Sequence, residues 1–257
     1  MYALSILLGL LGLCVGSFIS AFSYRWPKKI DFLWGRSFCP KCKAKISWYD
    51  NIPLFSYLVL RGKCRSCHKP ISLRYPLLEL TGALAFVGLG FALKNPSVWS
   101  YYLGVFLLPV FVALLSTLIA IFVIDLETQL IPDGLVFLLL GLVLLALFVF
   151  GKAPAFPLLA AGFGASFFLL LLAFVTRGRG MGLGDVKLAL PLGAILGWPQ
   201  VGVWLFLSFL TGGVFAILLL VAKKASFGKR IAFGPFLVLG FIITLFWGEK
   251  ILKLFSL

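Results

Sequence analysis

Long apolar runs alternate with short polar segments along the chain. Most runs approach about 20 residues, the length of helix that crosses the hydrocarbon core of a bilayer. Tilting of the helix or local thinning of the bilayer accommodates the shortest run, 185–197. The pattern predicts an all-α polytopic membrane protein with about eight transmembrane helices. The predicted spans are residues 1–24, 76–93, 100–124, 134–151, 155–176, 185–197, 200–222 and 234–252.

Composition agrees with this pattern. The 257 residues are 62% hydrophobic and 12% charged, with a mean hydropathy of +1.11. A soluble domain of this length cannot bury so much apolar surface. The net charge of +15 is also found in nucleic-acid-binding proteins, but here the basic residues lie between runs of spanning length. We therefore assign the charge to membrane orientation and predict no nucleic-acid partner.

Lysine and arginine concentrate on one predicted face of the membrane. Nineteen of the 23 basic residues lie in segments 25–75, 177–187 and 223–230, which eight spans place on the same side. The positive-inside rule makes this side cytoplasmic and leaves both termini on the outer side. The other four basic residues are Lys94, Lys152, Lys250 and Lys253. No basic residue precedes the first run, so we predict a retained span and not a secretory signal.

Segment 25–75 is the one polar stretch long enough for a small folded module, and it contains two CxxC pairs. The pairs "CPKC" and "CRSC" supply Cys39, Cys42, Cys64 and Cys67, with 21 residues between the pairs. This spacing predicts one tetrahedral Zn²⁺ site with a structural role, because four thiolates leave no position open for water. Two disulfides or a redox centre are the alternatives. A reducing cytoplasm disfavours disulfides, and redox motifs rarely occur as matched pairs.

Two other residues have metal-ligand chemistry but fall outside this pattern. His68 follows the last cysteine and is surplus to a four-cysteine site, and Cys14 lies in the first span as a small packing residue. A module of about fifty residues has little hydrophobic core of its own, so the metal is expected to stabilise its fold.

Four of the eight acidic residues fall in two short motifs. In "IDLETQLIPDGL", Asp125 directly follows an apolar run and lies deepest, while Glu127 points away from it if the helix continues. Asp133 begins the fourth span, where a carboxylate caps the helix and complements its dipole.

In "GMGLGDVKL", Asp185 follows closely spaced glycines, among them Gly182 and Gly184. These glycines permit close approach of another chain and a positive φ, although a loose cytoplasmic loop and an Asp185 cap are alternatives.

The two motifs together point to catalysis. By the predicted topology, the third span ends and the sixth begins at the same depth, so Asp125 and Asp185 can meet. Ionisable residues are costly in a membrane and are functional candidates there. Two adjacent carboxyls share one proton, so one takes a proton from water while the other protonates a substrate carbonyl. This is the chemistry of an aspartic protease.

The whole set of motifs resembles that of the type IV prepilin peptidases, membrane aspartic proteases of the GxGD class. The resemblance rests on "GSFISAFSYRWP" at 16–27, the paired CxxC, "NIPLFSYLVLRGKCRSCHKPISLRYPLLEL" at 51–80, "IDLETQLIPD" at 124–133 and "GMGLGDVKL" at 180–188. It implies that Asp125 and Asp185 are the catalytic pair. Ser20 departs from the pattern, because family members usually carry Asn there.

The resemblance also implies a function and a location. The family cuts the basic leader of pilin-like precursors after a glycine, on the cytoplasmic side of the bacterial inner membrane. Its two-activity form, marked by the cysteine module, then methylates the new amino terminus with S-adenosylmethionine. Pilin-like precursors and membrane lipids are therefore the expected partners. We divide the chain into a first span, 1–24, a zinc module associated with methyl transfer, 25–75, and a seven-span peptidase domain, 76–257.

Further residues are expected to support these activities. For the substrate or the site, these are Gly182, Gly184, Glu127, Asp133 and Lys187. For S-adenosylmethionine, no glycine-rich Rossmann loop is present, so the expected walls come from the zinc module and its joins. These residues are Arg61, Gly62, Lys63 and Glu79, although Arg61 and Lys63 also fit topology-setting charges.

Two other functions use similar residues. Membrane aspartates serve proton relays in transporters, but here they lie at the ends of spans, and no inverted repeat is apparent. A thiol-redox membrane protein also uses CxxC pairs, but such cysteines are not expected in a basic cytoplasmic loop.

Overall fold

The computed structural model describes residues 2–31, 36–92, 108–150, 154–178, 180–223 and 231–255. The chain divides into two compact units, Met1–Asn95 and Pro96–Leu257. Within the described residues there are nine α-helices and no strand longer than an isolated bridge. In the first unit these are α1 (Tyr2–Arg25), α2 (Phe55–Val59) and α3 (Arg74–Ala92). In the second they are α4 (Leu108–Thr128), α5 (Asp133–Leu145), α6 (Ala155–Val175), α7 (Leu183–Leu196), α8 (Gln200–Val221) and α9 (Gly234–Phe255).

Five helices in the described part of the chain are long and apolar enough to cross a bilayer. They are Ala3–Lys28, Leu108–Thr128, Ala155–Val175, Gln200–Val221 and Gly234–Leu254, and a shorter apolar helix covers Asp133–Val149. The prediction of an all-helical membrane protein is therefore confirmed, while the count of eight spans stays a prediction. The start of the third predicted span, 100–107, lies outside the described residues, as do Lys94 and Lys152.

The first unit consists of α1 packed on α3, with the polar module between them in sequence. Gly12 and Gly82 let the two backbones approach closely, since a Cβ at either would overlap the other residue. Arg74 donates to the Ser20 carbonyl at 2.9 Å and to Ser23 Oγ at 2.6 Å, which fixes the start of α3 on α1. The Ser20 hydroxyl donates within its own helix, to the Ser17 carbonyl. The compact unit therefore includes α3, whereas the predicted domain boundary lies before it.

The second unit is a helical bundle around a buried helix, α7. With 14 residues, α7 is roughly 21 Å long, shorter than the roughly 30 Å hydrocarbon core. Its residues Leu188, Ala189 and Leu192 have no exposed surface, so protein and not lipid surrounds this helix. Gly193 packs against Gly162 of α6, where a Cβ on Gly193 would lie 2.9 Å from the Gly162 Cα. The bundle therefore supplies the apolar surroundings that a short helix needs.

Candidate active site and metal centre

Asp125 lies in the last turn of α4 and is 4% exposed. The helix ends three residues later, at Thr128, because Gln129 takes a left-handed φ of 56° while its N–H donates to the Asp125 carbonyl at 2.8 Å. Pro132 then precedes α5 and prevents the two helices from joining. Glu127 is exposed, so the two carboxylates point in different directions, as the helical spacing predicts.

Asp185 lies in the first turn of α7 and is 7% exposed. Its Oδ2 accepts a hydrogen bond from the Gly182 N–H at 3.2 Å, so one oxygen satisfies the helix terminus as a cap would. The Ser166 hydroxyl on α6 donates to the Val186 carbonyl at 2.8 Å and fixes the position of this turn. Asp185 is therefore anchored by its backbone neighbours and held inside the bundle.

The two aspartates come from helices far apart in sequence. Ile131, in the segment between α4 and α5, connects their surroundings. A Cβ built on Gly184 would lie 3.0 Å from the Ile131 Cβ, and one built on Gly234 would lie 3.1 Å from its Cδ1. Three helix ends, from α4, α7 and α9, therefore converge around one isoleucine and two carboxyl groups.

One oxygen of this pair is unsatisfied. Among the described residues, the buried Oδ2 of Asp125 has no hydrogen-bond partner. A buried polar atom without a partner carries a desolvation cost of about 1–3 kcal/mol. Such a cost is typical of functional sites, where a substrate or water completes the network. The pair thus combines an anchored carboxyl, Asp185, with an open one, Asp125.

The supporting acidic residue Asp133 does not cap its helix. Pro132 is the N-cap of α5 and Asp133 the first helical residue, so the predicted side-chain cap is wrong. The Asp133 carboxylate instead accepts two hydrogen bonds from Lys187 Nζ, at 2.8 and 2.9 Å. Both side chains are about half exposed, and an ion pair of this kind contributes little to stability. The pair links the start of α5 to α7, beside the aspartates.

The two glycines nearest Asp185, Gly182 and Gly184, have ordinary backbone angles, so the expected positive φ is wrong for them. Gly182 has φ −81°, and Gly184 is part of α7. The positive φ of this segment, 70°, belongs to Gly178, at the end of α6. Helix α7 begins earlier than predicted and absorbs Gly184, so close packing and not dihedral freedom explains that glycine. The close neighbour is Ile131 of this same chain.

Gly234 and Ile131 were not identified from the sequence. Gly234 is the first residue of α9, and a Cβ there would lie 2.6 Å from Asp125 Oδ2. The available signal was "FGPF" at 233–236, a glycine and proline opening an apolar run. That pattern marks a helix start, but nothing in it indicates proximity to Asp125.

The four predicted metal ligands do come together. The Sγ atoms of Cys39, Cys42, Cys64 and Cys67 all lie within 4.8 Å of one another. Zinc holds sulfur at about 2.3 Å, which places tetrahedral ligands roughly 3.8 Å apart. A small contraction therefore fits the cluster to one ion. His68 is exposed and does not join the cluster.

The two cysteine pairs sit in matching turns. Each turn is closed by an antiparallel bridge, Phe38 with Lys45 and Lys63 with Pro70. In each, the N–H of the residue four positions after the first cysteine donates to that cysteine's carbonyl, at 2.8 and 2.9 Å. Both of these residues, Lys43 and His68, have a positive φ. His68 is thus explained as a turn residue.

Electrostatics favours a thiolate in this cluster. Burial raises the pKa of the Cys39 thiol, but hydrogen bonds from the backbone N–H groups of Cys42 and Lys41 lower it, and the pKa falls to about 7. A thiolate is the form that binds metal.

Two contacts hold the turns independently of metal, one between the turns and one from the second turn to the segment that connects them. Lys41 Nζ donates to the Pro70 carbonyl at 2.8 Å. Arg65 holds Asp50 through two hydrogen bonds of 2.8 and 2.6 Å, and this pairing keeps the pKa of Asp50 below its usual range.

A cavity of about 890 Å³ lies inside the first unit, bordered by α1, α3 and the zinc turns. Its lining includes Tyr24, Tyr57, Tyr75 and the buried Glu79, whose Oε2 accepts from the Leu54 N–H at 2.8 Å. Of the four residues expected around S-adenosylmethionine, Glu79 lines this cavity. Arg61, Gly62 and Lys63 lie outside its described lining. Gly62 instead backs Tyr57, because a Cβ there would lie 2.9 Å from the tyrosine hydroxyl.

Comparison with known proteins follows the same two-part division. The profile of the Bacterial Peptidase A24 N-terminal domain matches residues 10–93, and that of the Type IV leader peptidase family matches residues 112–217. No solved structure matches the chain.

Several curated proteins with the name prepilin leader peptidase/N-methyltransferase are similar over most of the chain. The protein from Legionella pneumophila is 33% identical, over 96% of this chain and 93% of its own. The one from Pseudomonas aeruginosa is 36% identical, over 95% and 90%. The one from Aeromonas salmonicida is 40% identical, over 85% and 73%. With this likeness in both units, the chain belongs to the type IV leader peptidase family.

Proposed function

We propose that the chain is a membrane aspartic endopeptidase that removes the basic leader of type IV prepilin-like precursors after a glycine, and then methylates the new amino terminus. The observation that carries the peptidase is the buried pair Asp125 and Asp185, whose surroundings meet at Ile131. The names of the relatives in three bacteria support both activities.

Peptide hydrolysis follows from the arrangement of the pair. Two adjacent carboxyls share one proton, because burial opposes two charges. The ionised carboxyl takes a proton from a water molecule, and the oxygen of that water attacks the scissile carbonyl carbon. The protonated carboxyl donates to the carbonyl oxygen, and proton return to the leaving nitrogen breaks the C–N bond. We assign the open Asp125 and the anchored Asp185 to these roles jointly.

The substrate proposal rests on length and polarity. A prepilin joins a basic leader to a long apolar helix, so that helix would lie among the spans while the leader stays in water. The net charge of +15 repels a basic leader, and acidic lipid with the exposed Glu127 offsets this repulsion. The Asp133 carboxylate forms an ion pair with Lys187.

For the membrane arrangement, we propose eight spans in a bacterial inner membrane, with the zinc module cytoplasmic and both termini on the outer side. The twelve basic residues in segment 25–75 support this orientation. The short α7 would be the sixth span, enclosed by other helices.

In the zinc module, we propose one structural Zn²⁺ ligated by Cys39, Cys42, Cys64 and Cys67. All four positions of a tetrahedral ion are then filled by protein, so the ion organises the module and does not activate water.

For methyl transfer, we propose that S-adenosylmethionine, which supplies an electrophilic methyl group, binds in the cavity of the first unit. Its volume of about 890 Å³ lies within the common range for ligand pockets, about 300–1,000 Å³. Tyrosine rings suit adenine and a sulfonium cation, and the carboxylate of Glu79 suits an ammonium or ribose hydroxyls. Gly62 would contribute by holding Tyr57 in place. Arg61 and Lys63 would contribute from outside the cavity lining. Equilibrium binding of labelled S-adenosylmethionine to the Glu79→Gln protein should weaken, whereas unchanged binding excludes Glu79 from the pocket.

The function is tested by incubating the purified protein with a prepilin, with and without S-adenosylmethionine. Mass spectrometry of the mature amino terminus should show cleavage after glycine in both samples and one added methyl group only with the donor. An intact precursor in both samples would overturn the peptidase, and cleavage without methylation would overturn the second activity alone.

A further inference from the structure

We infer that Gly234, at the start of the last long helix, is a positioning residue of the peptidase site that holds the Asp125 carboxyl toward the reactants. This inference rests on the proposed function and adds a third helix to the site. Gly234 lies beyond the residues matched by the family profile, 112–217.

The first observation is steric. A Cβ on Gly234 would lie 2.6 Å from Asp125 Oδ2 and 3.2 Å from its Cγ. Real side-chain carbons do not approach a carboxylate oxygen that closely, so any other residue at this position displaces the carboxyl or the helix. The φ of Gly234 is not positive, which leaves space as the reason for a glycine.

The second observation is the unsatisfied oxygen. Asp125 is 4% exposed, and its Oδ2 has no hydrogen-bond partner among the described residues. Gly234 lies directly beside this oxygen, since a Cβ on it would be 2.6 Å from Oδ2. It belongs to the first turn of α9, where backbone N–H groups have no partner within the helix and attract negative charge. Pro235 contributes no N–H to this turn, and the N–H groups of Phe236 and Leu237 donate to the Phe233 carbonyl, so Gly234 carries the N–H of this turn that is left for the carboxyl.

The third observation is that α9 is fixed. Trp204 on α8 has no exposed surface and donates from Nε1 to the Leu237 carbonyl at 2.8 Å. Ser208 lies directly against Gly240 of α9. Because α8 holds α9 at two levels, the α9 start cannot move aside to make room for a side chain. A side chain at position 234 would therefore displace the Asp125 carboxyl and not the helix.

The nearest atom to this position outside Asp125 belongs to Ile131, and it supplies the discriminating experiment. The Ile131 Cδ1 would lie 3.1 Å from a Cβ at this position. A loss of activity in Gly234→Ala therefore has two possible sources, the carboxyl and the isoleucine, and shortening Ile131 separates them. Gly141 on α5 is a matched control, since a Cβ there meets nothing within 4 Å.

Kinetics of prepilin cleavage give the first test. Gly234→Ala should lower kcat at least tenfold and change KM less than threefold, whereas Gly141→Ala should resemble wild type. Ile131→Ala added to Gly234→Ala should not restore kcat. Wild-type kinetics in Gly234→Ala, or recovery in the double variant, would overturn the inference. If neither wild type nor Gly141→Ala cleaves prepilin, the proposed function is refuted. Thermal unfolding then decides whether Gly234 contacts Asp125.

Thermal unfolding decides the case in which Gly234→Ala folds poorly. Contact with the carboxyl predicts coupling between the two positions. Gly234→Ala should lower the Tm of wild type but lower it much less in an Asp125→Ala background, where the obstructing oxygen is gone. An equal fall in both backgrounds would contradict the contact with Asp125, whatever the activity shows.

Discussion

The two units hold their chemical groups in different ways. In the first, four thiols are brought within 4.8 Å by two short turns, each closed by bonds between residues a few positions apart. In the second, two carboxyls are positioned by three helix ends that are distant in sequence. The metal cluster is thus locally built, while the aspartate pair depends on the packing of a whole bundle.

This difference predicts different failures. Besides the metal, Lys41 joins the two zinc turns and Arg65 joins the second turn to Asp50 in the connecting segment. Loss of metal should therefore loosen a small module and leave the bundle intact. In the bundle, one methyl group at a helix contact changes the relation between the carboxyls without removing either. The predictions below use this contrast, in order of decreasing effect.

The largest effect is expected from the aspartates. Asp125→Asn and Asp185→Asn should each lower prepilin cleavage by about 10²-fold or more, because neither amide takes up or releases the shared proton. Initial rates on a purified precursor measure this, with α-helix content as the folding control. A variant that cleaves near the wild-type rate would remove its residue from the catalytic pair.

A smaller but strong loss is expected at Gly184. A Cβ there would lie 3.0 Å from the Ile131 Cβ, so Gly184→Ala pushes Ile131 and the segment after Asp125. Cleavage should fall about tenfold, as expected when positioning and not chemistry is disturbed. In contrast with Gly234, adding Ile131→Ala should restore most of the rate. No recovery in the double variant would show that Gly184 acts through something other than Ile131.

An intermediate effect, confined to the first unit, is expected from the cysteines. Cys64→Ser should lower zinc content below one ion per chain and increase protease cutting between residues 25 and 75, because the ion that stabilises this small module is lost. Cleavage of prepilin should change much less. The matched control is Cys14→Ser, since Cys14 lies on α1 and outside the cluster. Full metal content in Cys64→Ser would rule out four-cysteine ligation.

The smallest effect is expected at the exposed ion pair. Asp133→Asn removes the partner of Lys187, and because both side chains are about half exposed, the change is worth at most about 1 kcal/mol. Cleavage should fall less than about fivefold. A loss as large as that of Asp125→Asn would give Asp133 a direct role in catalysis.

The same contrast explains what the sequence predicts. The cysteine cluster follows from spacing, since each CxxC pair forms its own turn. The segment between the pairs needs to reverse direction only once to bring the four thiols together. The aspartate pair follows from topology, because equal depth in the membrane is readable from span order. The burial of Asp125 beside the exposed Glu127 follows from helical periodicity.

Contacts between distant helices do not follow from the sequence. The neighbours of Gly184 and Gly234 depend on how the helices pack, and apolar runs allow many such packings. The sequence offers both close approach and a positive φ for the glycines before Asp185, and only the packing shows that Gly184 lies against Ile131. The surroundings of α7 do not follow from the sequence either. The short apolar run that predicts this helix does not indicate that other helices will enclose it.

The most direct test of the account measures both activities on the same variants. Prepilin cleavage and methylation of an already cleaved pilin should be followed by mass spectrometry in wild type, Asp185→Asn and Cys64→Ser. The account predicts a double dissociation, in which Asp185→Asn loses cleavage but methylates, and Cys64→Ser cleaves but methylates poorly. Loss of both activities in both variants, or cleavage retained by Asp185→Asn, would contradict the division of chemistry between the two units.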